Sequence, residues 1–468
     1  MTEVRLVLIS HTNVGKTSLA RTLLRRDIGE IVDATHTTLD NHKHVLVETS
    51  SSTLVLWDTP GFGDTARLKQ RLEQSDKPLS SLLASAWDRV ADRTLWCAQQ
   101  AMTAVRDEAD LVLYLVNASE DPEFATYIEL ELAFLAWLDK PVLVLLNQLP
   151  PQADSAQRSD LLQRWEGVLS QPPIRGVLAL DAHERVWLEE HRLLARVRSE
   201  LEGEAAAHMG TLLARWERRA RERFEEAVHT LAHALAETTG DREPVRRGQP
   251  RRLGRIAALR RLGSRLSERT RRLDAHLIEL EALEGEALRA VEADLTATHD
   301  HGARPDPTTG AASGAVVGAG AGAALDLLFG GLTFGVFTAL GASLSAAAAW
   351  GWCWQAVDAR TLGWSDAFIG DLAAEYTARW LAITHHGRAR GPFDEHALAS
   401  WRTAVGQIRE RHVAAAARLT DAAAHPDVDA ESLRRAAIAL MHGLIADVLL
   451  TSYPAGDWLL ELPTEDTT

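Results

Sequence analysis

Arg5-Leu6-Val7-Leu8-Ile9 runs without interruption into Ser10-His11-Thr12-Asn13-Val14-Gly15-Lys16-Thr17, and from there into Ser18-Leu19-Ala20-Arg21-Thr22-Leu23-Leu24-Arg25-Arg26. The first piece is a short apolar run of strand length, and the last has apolar residues at helical spacing. The eight residues between them follow the pattern G-x-x-x-x-G-K-[ST], with Ser10 in place of the first Gly. A tight strand-to-helix loop of this kind turns its backbone N–H groups inward, and the helix N-terminus adds positive potential, which together cradle phosphate. Lys16 is placed to reach β- and γ-phosphates, and the Thr17 hydroxyl to sit on Mg²⁺. The candidate phosphate contacts are therefore Ser10, Asn13, Val14, Gly15, Lys16, Thr17 and Ser18.

Downstream, Leu54-Val55-Leu56-Trp57-Asp58-Thr59-Pro60-Gly61 gives a second anchor. An Asp at the end of a strand can hold Mg²⁺ through water, and the Gly three places later can present its N–H to a γ-phosphate. Asp58 and Gly61 are the candidates. Between the two motifs lies Thr35-His36-Thr37-Thr38-Leu39-Asp40, where a Thr closing over the metal is expected. The spacing to Asp40 favours Thr38, with Thr37 beside it. The expected metal set is Thr17, Thr38 and Asp58.

Apolar runs of four to eight residues recur through residues 1–185, at Val4–Ile9, Leu54–Trp57, Leu111–Val116, Val142–Leu146 and Gly176–Leu180, with a shorter one at Val45–Val47. Helix-length segments separate them. That alternation reads as an α/β P-loop domain with a mostly parallel sheet covered on both faces. The remainder reads as an all-α half: amphipathic helices over 186–302, a Gly/Ala-rich apolar helical hairpin over 303–357, and amphipathic helix again over 358–468. Trp364, Trp380 and Trp401 fall at core positions of the last part.

The whole chain of 468 residues is 46% hydrophobic with a formal net charge of −15, so it can build sizeable cores and is no nucleic-acid coat. Its two cysteines, Cys97 and Cys353, form no disulfide framework and no cysteine-based zinc pattern, which fits a reducing cytosol. The N-terminus has no signal-peptide pattern. No Lys follows Lys140.

The loop Ser-His-Thr-Asn-Val-Gly-Lys-Thr, the segment His-Thr-Thr-Leu-Asp and the motif Asp-Thr-Pro-Gly-Phe resemble the first three motifs of Era/MnmE-type bacterial GTPases of the TRAFAC class, over roughly residues 3–185. With AWDRVADRTLWCAQQA, DLVLYLVNASEDP and PVLVLLNQLP, nearly the whole chain resembles a bacterial family that joins such a G domain to a C-terminal domain of unknown function with a Gly-rich apolar segment. The resemblance implies binding of GTP and GDP with Mg²⁺ and hydrolysis to GDP and phosphate, with Lys16, Asn13, Thr38 and Gly61 as the catalytic set. It also places Asn147 and Gln148 in the base-reading motif, and Asp181 with Ala182 where a further base contact usually lies. Two departures stand out. Pro150 replaces the Asp that accepts from guanine, at an expected cost of about 1–3 kcal/mol in base selectivity. Phe62 stands where Ras-like enzymes carry a Gln that orients the attacking water. In several relatives an Asn at the place of Asn13 helps bind K⁺, so slow hydrolysis stimulated by K⁺ or by self-association of G domains is one expectation. The other is that Asn13 only shapes the loop.

Gly310, Gly314, Gly318 and Gly322 recur every four residues, giving a smooth helical stripe against which another helix could pack, in this chain or in a second copy. Candidate helices at Thr309–Leu325 and Leu332–Trp354 leave two readings: a hairpin in the inner face of the cytoplasmic membrane, or a hairpin inside a cytoplasmic helical core. Trp350, Trp352 and Trp354 would suit an interfacial belt, whereas Asp326 opposes deep insertion. Residues 246–272 hold eleven Arg and one Glu. This stretch reads as a surface for anionic lipid, as one for RNA or the ribosome, or as a solvated helix face paired with the acidic stretch Glu279–Glu292.

Overall fold

The structure, a computed structural model, describes residues 2–26, 41–62, 93–122, 125, 127–149, 155–180, 187–245, 251–297, 354–358, 360–387, 397–425 and 428–460. It divides into two compact units, Met1–Ala220 with His385–Phe393, and Arg221–Thr384 with Asp394–Thr468.

In the first unit the strands β1 (Thr2–Ser10), β2 (His42–Glu48), β3 (Ser52–Asp58), β4 (Leu111–Asn117), β5 (Val142–Asn147) and β6 (Ile174–Ala179) make one sheet in the order β2-β3-β1-β4-β5-β6. All neighbours are parallel except β2, which runs antiparallel to β3 on the edge. Each apolar run of the sequence lies in one of these strands, with Leu180 of the last run one residue past the end of β6. Successive side chains of a strand point to opposite faces, and the central strands divide their residues accordingly. Val7, Ile9, Val112, Tyr114 and Val144 join one core, packed with α2 (Arg93–Glu108), α3 (Tyr127–Trp137) and α4 (Ser155–Val168). Leu6, Leu8, Leu113, Leu115 and Leu145 join the other, packed with α1 (Lys16–Leu24), α5 (Trp187–Glu200) and the start of α6 (Gly203–Thr239). Leu193, Val197, Met209 and Leu212 are part of that second core, so helices beyond residue 185 complete the sheet's covering layer.

The second unit is built mainly from helices: the remainder of α6, α7 (Arg251–Leu280), α8 (Gly285–Ala297), α9 (Asp366–Thr384), α10 (Ala397–Arg409), α11 (Val413–Ala424) and α12 (Ala430–Ser452). The helical reading gains one addition, a small antiparallel sheet ordered β7-β9-β8, from β7 (Glu243–Pro244), β8 (Trp354–Asp358) and β9 (Thr361–Trp364). Trp354, expected to end an apolar helix, instead opens β8, where Trp354 pairs with Trp364. Trp364 and Trp380 are buried as expected, while Trp401 is half-buried.

From Arg251 the basic stretch forms α7, and several of its arginines pair with acids at the end of α6 and on β7. Arg269 reaches Glu237 (2.9 Å) and Asp241 (3.0 Å), and Arg265 reaches Asp241 (3.1 Å) and Glu243 (2.7 Å). The physical reason is proximity: the chain reverses between α6 and α7 through β7, which brings the acids at 237–243 against the middle of α7. Of the Gly-rich hairpin expected over 303–357, residues 303–353 lie outside the described residues and 354–357 belong to β8. Among the described residues no helix is long and apolar enough to cross a membrane.

Candidate functional site

The loop from β1 to α1 depends on two left-handed residues, Asn13 (φ 64°) and Gly15 (φ 95°). Gly15 is required twice over: its φ suits glycine, and a Cβ there would lie 2.7 Å from Asn147 Nδ2. That same amide donates to the carbonyl of Val14 at 2.7 Å, so Asn147, at the end of β5, anchors the phosphate loop from below. Gln148 follows with φ 57°, and its Nε2 lies 3.9 Å from the place of a Cβ on Gly15. Two predicted base-motif residues thus stand beside the loop.

Lys16 opens α1 and is only 7% exposed. Its ammonium donates to Ser10 Oγ at 2.9 Å. Burial lowers its pKa to about 8, against the opposing pull of the Asp58 and Glu131 carboxylates. Ser10, the departure from the usual Gly, therefore serves as a local acceptor for the lysine, and its own hydroxyl bonds the carbonyl of His11. Thr17 Oγ1 donates to Asp58 Oδ2 at 2.9 Å. Burial raises the pKa of Asp58, with Lys16 and the Thr17 bond acting against that rise. Gly61 closes the arrangement: a Cβ on it would lie 3.0 Å from Lys16 Nζ and 3.0 Å from Thr12 Cα. Ser18 and Val14 are buried, and Asn13 is exposed.

Asp58 Oδ1 is buried with no hydrogen bond. A carboxylate oxygen and a neighbouring hydroxyl form a hard oxygen donor set suited to Mg²⁺, which takes few protein ligands and completes its shell with water and phosphate. The residues present fit such an ion. Among the described residues no group of three or more His, Cys, Asp or Glu that could hold a metal occurs.

Phe62 is fully buried in the sheet's core. Its N–H donates to the Ser10 carbonyl at 2.8 Å, and it forms an isolated bridge with His11. Its ring fills the core and has no polar atom to orient water. Thr38, Pro150, Asp181 and Ala182 lie outside the described residues.

One feature of the site was not expected from the sequence. Glu131 of α3 is fully buried. It accepts from the Tyr114 hydroxyl at 2.7 Å and lies 2.7 Å from His11 Nδ1. The signal was present as an acidic residue on the apolar face of YIELELAFLAW, but its partners stand 120 and 17 positions away.

Residues 5–148 match a family model described as 50S ribosome-binding GTPase. Among solved structures, an Era variant of Aquifex aeolicus bound to GDP and AlF4⁻ is 19% identical with a TM-score of 0.34, covering 43% of this chain and 58% of that one. Era in complex with MgGDPNP and nucleotides 1506–1542 of 16S ribosomal RNA gives the same identity, TM-score and coverage. The chain thus spans 58% of the length of those structures. No curated protein matches the chain. With its mostly parallel sheet and its loop-to-helix phosphate site, the N-terminal part of the chain is a P-loop GTPase domain.

Proposed function

We propose that the chain is a nucleotide switch that binds GTP and Mg²⁺ at the β1–α1 loop and hydrolyses GTP to GDP and phosphate. The observation that carries this reading is the convergence of Lys16, Thr17, Asp58 and Gly61 on one loop. In this reading Lys16 exchanges its bond to Ser10 for the β- and γ-phosphates, and the N–H groups of Asn13 to Ser18 hold the phosphate oxygens. Thr17 and Asp58, with Thr38, hold Mg²⁺, and Gly61 offers its N–H to the γ-phosphate. Asn147 and Gln148, with Asp181 and Ala182, flank the base. Because Phe62 has no group to orient water, turnover is slow and relies on K⁺ at Asn13 or on self-association of G domains.

The test compares binding of labelled GTP, ATP and GDP, then phosphate release in K⁺ and in Na⁺. GTP is expected to bind tighter than ATP, with the margin reduced by about 1–3 kcal/mol because Pro150 offers no side-chain acceptor. Release is expected to be faster in K⁺. Equal rates in the two salts would remove the K⁺ role, and no affinity for any purine triphosphate with Mg²⁺ would remove the whole reading.

A pH profile gives a second test. The ammonium of Lys16 is the form that attracts phosphate, and in the free protein it titrates at about 8. Triphosphate affinity should fall about twofold between pH 7 and 8 and more steeply above it, by up to about tenfold per pH unit for a single proton. Affinity that stays flat to pH 10 would mean that Lys16 does not meet the phosphates.

We read the helical half as the part that carries the switch to its target, with the segment 303–357 touching the inner face of the cytoplasmic membrane. The Gly/Ala-rich apolar composition of the segment with Trp350 and Trp352 supports this, and flotation with anionic vesicles, with and without 307–353, tests it. A ribosomal target is a second reading, supported by the printed description of the matched family. RNA co-purifying with the protein in place of flotation would favour it.

A further inference from the structure

Glu131 is a carboxylate placed at zero exposure on the apolar side of α3. Burying such a charge costs several kcal/mol unless its oxygens are well bonded, and an apolar side chain of similar size often serves packing better. Here both oxygens are engaged. Oε2 accepts from Tyr114 of β4 at 2.7 Å, and Oε1 lies 2.7 Å from Nδ1 of His11. His11 is the second residue of the phosphate loop. Its ring meets Tyr127 at 4.4 Å between centroids with the planes tilted by 32°, and the Tyr127 hydroxyl donates to Glu120 at 2.9 Å. On its other side the His11 backbone bridges Phe62. One loop residue is thus tied to β4, α3 and the segment after β3, and the buried carboxylate joins the first two of these ties. The same carboxylate lies within electrostatic reach of Lys16.

We propose that Glu131 is a positioning residue of the phosphate site: by holding His11 it fixes the loop backbone in the conformation that grips the triphosphate. The inference rests on the reading of the loop as a nucleotide site. It assigns Glu131 no contact with substrate. Its action runs through His11, and Tyr114 keeps the carboxylate in place. Packing would be satisfied by any side chain that fills the volume. Positioning requires a donor at the place of His11 Nδ1 and an acceptor at the place of Oε1.

The experiment uses the full chain and measures the affinity for a fluorescent GTP analogue with Mg²⁺, together with thermal unfolding of each variant. Glu131→Leu fills the space without an acceptor. His11→Ala removes the donor, and His11→Asn restores an N–H near the place of Nδ1. Glu131→Leu and His11→Ala should each weaken binding on the order of tenfold, the scale of one charge-assisted bond, and the double variant should lose no more than the worse single one. His11→Asn should stay within about threefold of the parent protein. Glu131→Leu should melt no lower than the parent. Tyr114→Phe, which deletes one hydroxyl, should lose about threefold and serves if Glu131→Leu does not fold. Parent-like affinity in Glu131→Leu, or in Tyr114→Phe where that variant stands in for it, overturns the proposal. So do additive losses in the double variant, or a loss in His11→Asn equal to that in His11→Ala. A parent protein with no affinity for the analogue defeats the nucleotide reading itself, a result distinct from all of these.

Discussion

Replacing Lys16 with Met should cut kcat/KM for GTP hydrolysis by on the order of 10²–10⁴-fold while leaving the protein folded. The side chain is expected to make two charge-assisted bonds to phosphate, each worth about 1.5–3 kcal/mol, and tenfold in rate corresponds to about 1.4 kcal/mol. Met keeps the apolar stem and deletes the charge. The thermal midpoint without nucleotide should hold or rise, because burial opposes the ammonium in the folded protein and lowers its pKa to about 8. Phosphate release and unfolding, measured on the same preparation, separate loss of chemistry from loss of fold. A variant with parent-like turnover would place the reaction elsewhere.

In the helical unit, Arg379→Leu should destabilise the fold by about 3–5 kcal/mol, the usual result of removing one partner from a buried ionic cluster. Arg379 is fully buried on α9 and donates to Asp274 of α7 at 2.7 Å and to Glu375 at 2.9 Å. Arg402 of α10 also meets Glu375, at 2.6 Å. Denaturant unfolding would measure the loss, and adding Asp274→Leu should recover part of it by removing the carboxylate left without its partner. Additive effects of the two substitutions would argue against a shared cluster.

The cluster also imposes a pH dependence on the stability of this unit. Burial opposes ionisation of Glu375, but the charges and hydrogen bonds of Arg402 and Arg379 outweigh it and lower the pKa to about 2. The stabilisation is present in full above the ordinary value of 4.5 and is lost as pH falls toward 2. Asp274 behaves in the opposite sense. Burial lifts its pKa to about 6, against the pull of Arg379, so the folded unit favours the protonated acid. Its ionisation therefore costs stability progressively as pH rises from 3.8 through 6. Together the two groups predict greatest stability near pH 4–4.5 and a decline toward pH 6. Each displacement is worth about 3 kcal/mol.

The sequence made the first unit legible because its signals are local. Strand, loop and helix lie within 26 consecutive residues, and the sixth-residue spacing from Ser10 to Lys16 is set by the phosphate it is built to meet. Asp58 was legible for the same reason, standing at the end of an apolar run. The antiparallel β2 was not distinguished from its parallel neighbours, since pairing direction leaves little trace in a short run. Glu131 and Arg379 were not singled out from the sequence, because each is one charge on an apolar helix whose partners are remote in the chain. Which distant acid meets which arginine depends on helix placement, as Arg269 with Glu237 and Arg379 with Asp274 show.

The burial of Phe62 bears on how the domain could be re-engineered. Installing a glutamine at that position is the obvious route to a faster, Ras-like hydrolase. Here it would push an amide into a dry hydrophobic layer and leave a hole where the ring had been. If the loop is the GTP site proposed above, a faster variant would have to be sought at positions other than this one.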